Sequence, residues 1–231
     1  MTMESELTDP PELDRNEISQ LVGTKINNLD LYQKAFTHKS ALKTYTLTES
    51  FETLEFIGDS VLGFVITKFL FDRYEGKQEG FLTKARTKLV RGETLADLAR
   101  NLKFDKWILM DEKGMRNGWN RNTKVLEDAF EAFIGAIYLD LGLIHARRFV
   151  LGTFEMIDMK CLMIDDNFKD QLMRYCQANK FDLPTYIINS HSSGIFDISV
   201  EVDGESGTGV AKSKRQAEQN AAEMVIKALG L

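Results

Sequence analysis

The strongest constraint on the fold is a change in hydrophobic periodicity near residue 165. Before that point apolar residues recur at helical spacing, and after Pro184 they fall into short β-like runs. Residues 51–74 carry Leu54, Phe56, Ile57, Val61, Leu62, Phe64, Val65, Phe69 and Leu70 as a broad stripe, which predicts a nearly buried central helix. Short helices are predicted around residues 17–21 and 29–36, before a polar run over 38–48. Gly76 and Gly80 interrupt the pattern. Helical spacing then resumes over 81–102 with Lys84, Arg86, Lys88 and Arg91, predicting one partly exposed helix. Residues 114–122 read as a loop, and 123–139 as a second strongly apolar helix that Gly142 ends. A last helix over about 144–163 completes an all-helical block.

The tail follows different rules. Residues 167–179 read as a helix, and Pro184 marks a turn. The runs 185–188, 195–202 and 205–211 read as strands, the last two joined by the hairpin dipeptide Asp203-Gly204. Ser213 is placed to cap a final helix over 214–229. The expected architecture is an all-α domain followed by a small α+β domain in the order α-β-β-β-α. Its boundaries are a flexible stretch over 1–11, the helical domain over 12–163 and the second domain over 164–231.

With 231 residues, 43% of them hydrophobic, the chain is long enough for two modest cores. The start lacks the apolar centre of a secretory leader, and no stretch reaches the roughly 20 apolar residues that cross a bilayer. An intracellular, cytoplasmic protein with no membrane partner is expected. Cys161 and Cys176 lack the spacing of a zinc or redox site and read as buried or incidental thiols. The net charge of −6, taken bluntly, argues against a nucleic-acid partner. A clustered basic face is still sufficient for RNA, however, and a site built for divalent cations is itself acidic.

Glu52, Glu55 and Asp59 stand at offsets of zero, three and seven on the central helix, within roughly 60° of arc. Like charges so placed repel, and the surrounding helix is apolar, so a compensating positive charge is required. Asp128 and Glu131 repeat the spacing of three on the second apolar helix. Hard carboxylate oxygens in such a set suit a divalent cation and the hydrolysis of a phosphodiester. The spacing alone also permits a solvated acidic face, or pairing with Lys84, Arg86 and Lys88, which is the commoner outcome for acids at helical spacing.

The run Glu52-Thr53-Leu54-Glu55-Phe56-Ile57-Gly58-Asp59-Ser60-Val61-Leu62 resembles the signature helix of the ribonuclease III family. The resemblance extends to Ala35-Phe36-Thr37-His38-Lys39-Ser40, to Glu79-Gly80 and to Asp128-Ala129-Phe130-Glu131-Ala132-Phe133-Ile134-Gly135-Ala136. It implies an endoribonuclease that hydrolyses both strands of double-stranded RNA, leaving 5′-phosphate and 3′-hydroxyl ends. It also implies Mg²⁺ as cofactor, with Mn²⁺ able to substitute. The family's metal-binding carboxylates fall on Glu55, Asp59, Asp128 and Glu131, with Asp59 and Glu131 catalytic and Glu131 tied most directly to cleavage. Glu52 and Glu79 fall on its supporting acids. A homodimer is implied as well, with Phe56 at an interface aromatic. His38 has no ligand-like spacing and reads as structural. The runner-up is a non-catalytic module that binds duplex RNA and uses the helical block only to dimerise.

The tail resembles a double-stranded-RNA-binding domain through Leu183-Pro184-Thr185-Tyr186 and Gly209-Val210-Ala211-Lys212-Ser213-Lys214-Arg215-Gln216-Ala217. Lys212, Lys214 and Arg215 open the last helix, where its dipole and their charges can hold phosphates of A-form RNA. His191 stands near the family's groove-reaching histidine. Three departures stand out: Met173-Arg174 in place of a Gln-Glu pair, no Gly-Pro lead in the turn over 189–194, and Ala211 in place of a second glycine. Seven basic against ten acidic side chains over 165–231 leave this tail at −3, so RNA binding is expected to rest on the basic cluster.

Overall fold

A computed structural model describes residues 7–155 and 167–231, and the chain divides into two units, Met1–Met163 and Ile164–Leu231. The first unit is helical. Its elements are α1 (Arg15–Val22), α2 (Leu29–Ala35), α3 (Glu52–Arg73), α4 (Glu79–Leu89), α5 (Gly92–Asn101), α6 (Glu112–Arg116), α7 (Thr123–Leu141) and α8 (Leu143–Phe154), with short 3₁₀ turns at Lys39–Lys43, Phe104–Lys106 and Trp119–Arg121. Of the stretch expected to be flexible, residues 1–6 lie outside the described residues, and the Thr8 backbone N–H donates to the Thr44 carbonyl at 3.0 Å.

The unit is organised around α7, whose Leu126, Ala129, Phe130, Phe133, Ile134 and Ile137 are fully buried. Aromatic rings from several elements close on it. Phe133 meets Tyr32 of α2 at 5.5 Å, Phe104 at 5.1 Å and Phe149 of α8 at 5.2 Å between centroids. Asn122 caps the helix by accepting the Lys124 N–H at 2.9 Å, and Gly142, at φ 84°, ends it. At the far end of α7, Asp140 accepts the backbone N–H groups of Asn27 and Asn28, both at 2.9 Å, and the Tyr32 hydroxyl at 3.0 Å, which pins the start of α2.

The predicted helix over 81–102 is two helices, not one. The chain is extended at Arg91, with ψ 147°, and the Thr94 hydroxyl donates to the Lys88 carbonyl at 3.0 Å across the break. This turn lays Leu95, Leu98 and Ala99 of α5 into the core, whereas α4 buries only Ala85 and Leu89. The loop expected over 114–122 holds the end of α6 and a 3₁₀ turn. Of the helix expected over 144–163, residues 156–163 lie outside the described residues, as does Cys161.

The second unit is α9 (Phe168–Asn179), β1 (Tyr186–Ser192), β2 (Ile195–Val202), β3 (Glu205–Ala211) and α10 (Lys214–Ala228). The strands form an antiparallel sheet in the order β1-β2-β3. One face of the sheet is buried by both helices through Ile198, Val200, Leu172, Ala221 and Val225, and Cys176 is a buried free thiol in that core. Asp203-Gly204, with φ of 54° and 79°, makes the expected hairpin turn. Strand β1 runs four residues beyond the predicted one, because Ser193-Gly194 also takes positive φ at both positions and makes a second two-residue turn. A register shift between Ile188 and Ser190 accommodates the extra length.

Candidate functional site

The acids converge because α3 and α7 touch backbone to backbone. A Cβ on Gly135 would lie 2.3 Å from the Leu54 carbonyl oxygen, and one on Gly58 would overlap the backbone at Glu131 outright. Only glycine fits at either crossing point. At these crossings and within one turn of them, Glu55, Asp128 and Glu131 offer oxygens that all lie within 4.8 Å of one another. Among the described residues this is the group whose side chains could hold a metal ion.

Glu131 is 7% exposed, set among the buried Phe130, Ala132 and Phe133 of α7. Burial, followed by the charges of Asp59 and Glu127, pushes its carboxyl up to about 8. Glu55 is also raised, by burial first and then by Asp128. The other acids stand further out. Asp59 is exposed and faces Glu131 closely enough to act on it, but lies outside the tight group of three. Glu52 accepts from Ser50 at 3.1 Å and pairs with Lys39 at 3.5 Å. Glu79, at the exposed start of α4, accepts the Thr83 hydroxyl at 2.7 Å within its own helix.

Two residues that the sequence reading passed over belong to this site. Lys124 places its Nζ 2.6 Å from Asp128 Oδ1 and 3.6 Å from Glu127 Oε2. Burial alone would lower its ammonium, but Asp128, Glu127 and Glu55 outweigh that and hold it up at about 12. The Glu127 carboxylate is wedged over the start of α5, with Oε2 2.4 Å from where a Gly92 Cβ would stand. The spacing of three and four residues from Lys124 was a signal for both contacts. His38 hydrogen-bonds Ser40 through Nδ1 at 2.9 Å and caps the 3₁₀ turn, and burial lowers its imidazole.

On the outside of α3, Phe56 is 80%, Phe64 58% and Phe71 66% exposed, in a stripe on one side of the helix. Buried positions occupy the opposite side, so these rings have no role in this unit's own core.

In the second unit, Gly207 and Gly209 of β3 let α10 lie directly on the sheet. A Cβ on Gly209 would come within 2.0 Å of the Ala217 carbonyl oxygen. That close seat fixes the start of α10, where the Ser213 hydroxyl accepts the Gln216 N–H at 3.2 Å. Lys212, Lys214 and Arg215 are exposed around this helix N-terminus. His191 sits within β1, stacked on Phe196 at 4.0 Å, near the second turn and not in a long loop. Arg174 pairs with Asp170 one turn back at 3.1 Å.

A family model described as ribonuclease-III-like matches residues 28–156, and one described as a double-stranded RNA binding motif matches residues 168–229. Ribonuclease 3 of Nitrosococcus oceani is 38% identical over 209 residues, covering 86% of this chain and 88% of that protein. A protein of Paramecium bursaria Chlorella virus 1 is 36% identical over 222 residues, covering 94% of this chain and 80% of that protein. Among solved structures, the nuclease domain of ribonuclease III from Campylobacter jejuni, described for flexibility in a region involved in dimer formation, is 33% identical. It covers 62% of this chain and 97% of that one with a TM-score of 0.58.

Proposed function

The chain belongs to the ribonuclease III family, and from that premise we propose that Glu55, Asp59, Asp128 and Glu131 form its metal-binding cleavage centre, with Mg²⁺ as the cation and Mn²⁺ as a substitute. The protein is an endoribonuclease of double-stranded RNA whose catalytic domain is followed in sequence by a double-stranded-RNA-binding domain. We place these domains at residues 12–163 and 164–231.

The observation that carries the metal assignment is the crowding of three carboxylates within 4.8 Å around an acid that is buried and hard to ionise. Such a set costs free energy unless a cation neutralises it, and its all-oxygen chemistry suits a hard divalent ion. When bound, that ion supplies Lewis-acid activation of water and neutralises charge at the scissile phosphate. The chain's own work is positional. The contact of α3 with α7 fixes the oxygens, and Asp59 keeps a further acid facing Glu131 from the exposed side. Glu52 and Glu79 are assigned supporting roles toward RNA at the edge of the site.

Cutting both strands needs two such centres. The exposed phenylalanine stripe of α3, which begins beside Glu55, supports a homodimer through this face with Phe56 as its anchor. Lys212, Lys214 and Arg215 at the start of α10 are the proposed phosphate contacts, with His191 as a lesser one. No helix among the described residues is long and apolar enough to cross a membrane. A cytoplasmic site of action belongs to the same proposal.

The test is an assay of the full chain on long duplex RNA and on a single strand of the same sequence, with Mg²⁺ or with chelator. Duplex-specific products with 5′-phosphate ends that vanish with chelator support the reading. Duplex binding without cleavage at any divalent ion would reduce the protein to a binding module.

A further inference from the structure

Lys124 is an unusual residue where it stands. It lies in the first turn of α7, where a helix dipole disfavours a cation, and no acid occupies that turn. What compensates is its contact with Asp128 at 2.6 Å and with Glu127 at 3.6 Å. The two acids differ. Asp128 belongs to the group of three whose oxygens crowd together, whereas Glu127 lies outside it, held against the start of α5 at Gly92. The Lys124 side chain itself is 63% exposed and can move from one to the other without disturbing the core.

We propose that Lys124 is the counter-ion of the metal-free site, and that an arriving divalent cation displaces its ammonium from Asp128 onto Glu127, which receives it. This rests on the metal assignment made above. An ammonium and a divalent ion on one carboxylate repel each other at short range, so the site binds a cation only as fast and as tightly as Lys124 gives way. Glu127 keeps the displaced charge paired three residues away on the same helix face. Lys124 and Glu127 are in this sense positioning residues that set the metal affinity of the resting enzyme.

The experiment is a titration of the full chain with Mn²⁺ alone, without RNA, read by electron paramagnetic resonance of the free ion. Wild type, Lys124→Met, Glu127→Gln and the double variant are compared, with Lys124→Gln as a second version should Lys124→Met fold poorly by thermal melting. Lys124→Met is expected to bind Mn²⁺ about tenfold more tightly than wild type. Glu127→Gln is expected to bind several-fold more weakly, and to lose most of that effect once Lys124 is gone. Equal or weaker binding by both Lys124 variants overturns the proposal, and so do additive effects of the two substitutions. Absence of any Mn²⁺ binding by wild type would instead remove the metal assignment beneath it.

Discussion

A Cβ on Gly58 would stand 1.8 Å from the carbonyl oxygen of Glu131, so the backbones of α3 and α7 are in direct contact beside the candidate site. The contact decides the spacing of the acids, because Glu55 and Asp59 flank Gly58 on one helix and Asp128 and Glu131 lie within a turn of the contact on the other. Any side chain at Gly58 would have to push the helices apart.

Gly58→Ala should therefore cost about 1–3 kcal/mol of stability, as overpacking does elsewhere, and should abolish cleavage even in variants that fold. Gly152→Ala, at a helical position with open space around it, should be neutral or stabilising by up to about 1 kcal/mol and leave cleavage intact. Thermal melts and duplex cleavage on both variants check this.

Stability of the metal-free protein should fall as pH rises. Burial lifts Glu131 from 4.5 to about 8, so between those values the folded chain holds a proton that the unfolded chain has released. The folded state is favoured least above about pH 8, where the carboxylate is charged and unpaired, by an amount of the order of a few kcal/mol. Denaturant melts with chelator should show this loss in full in wild type and only a smaller one in Glu131→Gln, where the raised Glu55 remains. Added Mg²⁺ should reverse it, since binding requires the deprotonated acid.

Phe56→Asp should convert a dimer into a monomer by sedimentation at micromolar concentration. With 80% of the ring exposed on its own unit, the substitution should leave the melting of the monomer nearly unchanged. Cleavage of both strands at one site should be lost with the dimer. A wild type that sediments as a monomer at all concentrations would remove the interface assignment.

Replacing Lys212, Lys214 and Arg215 together by alanine should weaken duplex RNA binding uniformly across sequences. The slope of log affinity against log salt should shrink by roughly one for each lost phosphate contact. Binding measured at several salt concentrations reads both effects.

Much of the molecule was legible from local chemistry. Asp203-Gly204 and Ser213 announced a hairpin and a helix cap, because both signals act within a few residues. The spacing of Glu52, Glu55 and Asp59 placed them along one helix, while their meeting with Asp128 and Glu131 depends on a tertiary contact at Gly58 and Gly135 that spacing does not encode. The break after Leu89 was missed because helical apolar spacing continues on both sides of it, through Leu89, Leu95 and Leu98, and Gly92 is a single interruption that such spacing outweighs. Lys124 was missed for a similar reason. The basic residues weighed against the acids were those of α4, whereas this one sits on the same helix as Asp128. The extra length of β1 was hidden because Ser193 takes positive φ, which serine seldom does.

Acids from α3 and α7 are proposed to act together on a divalent cation to cut duplex RNA. The most direct test is Glu131→Gln beside Asp59→Asn, each measured for duplex binding and for cleavage in Mg²⁺. Binding should stay close to wild type and cleavage should fall by roughly a hundredfold to a thousandfold in both, the scale on which loss of a charge-stabilising group acts. Cleavage at wild-type rate in either variant would contradict the proposal.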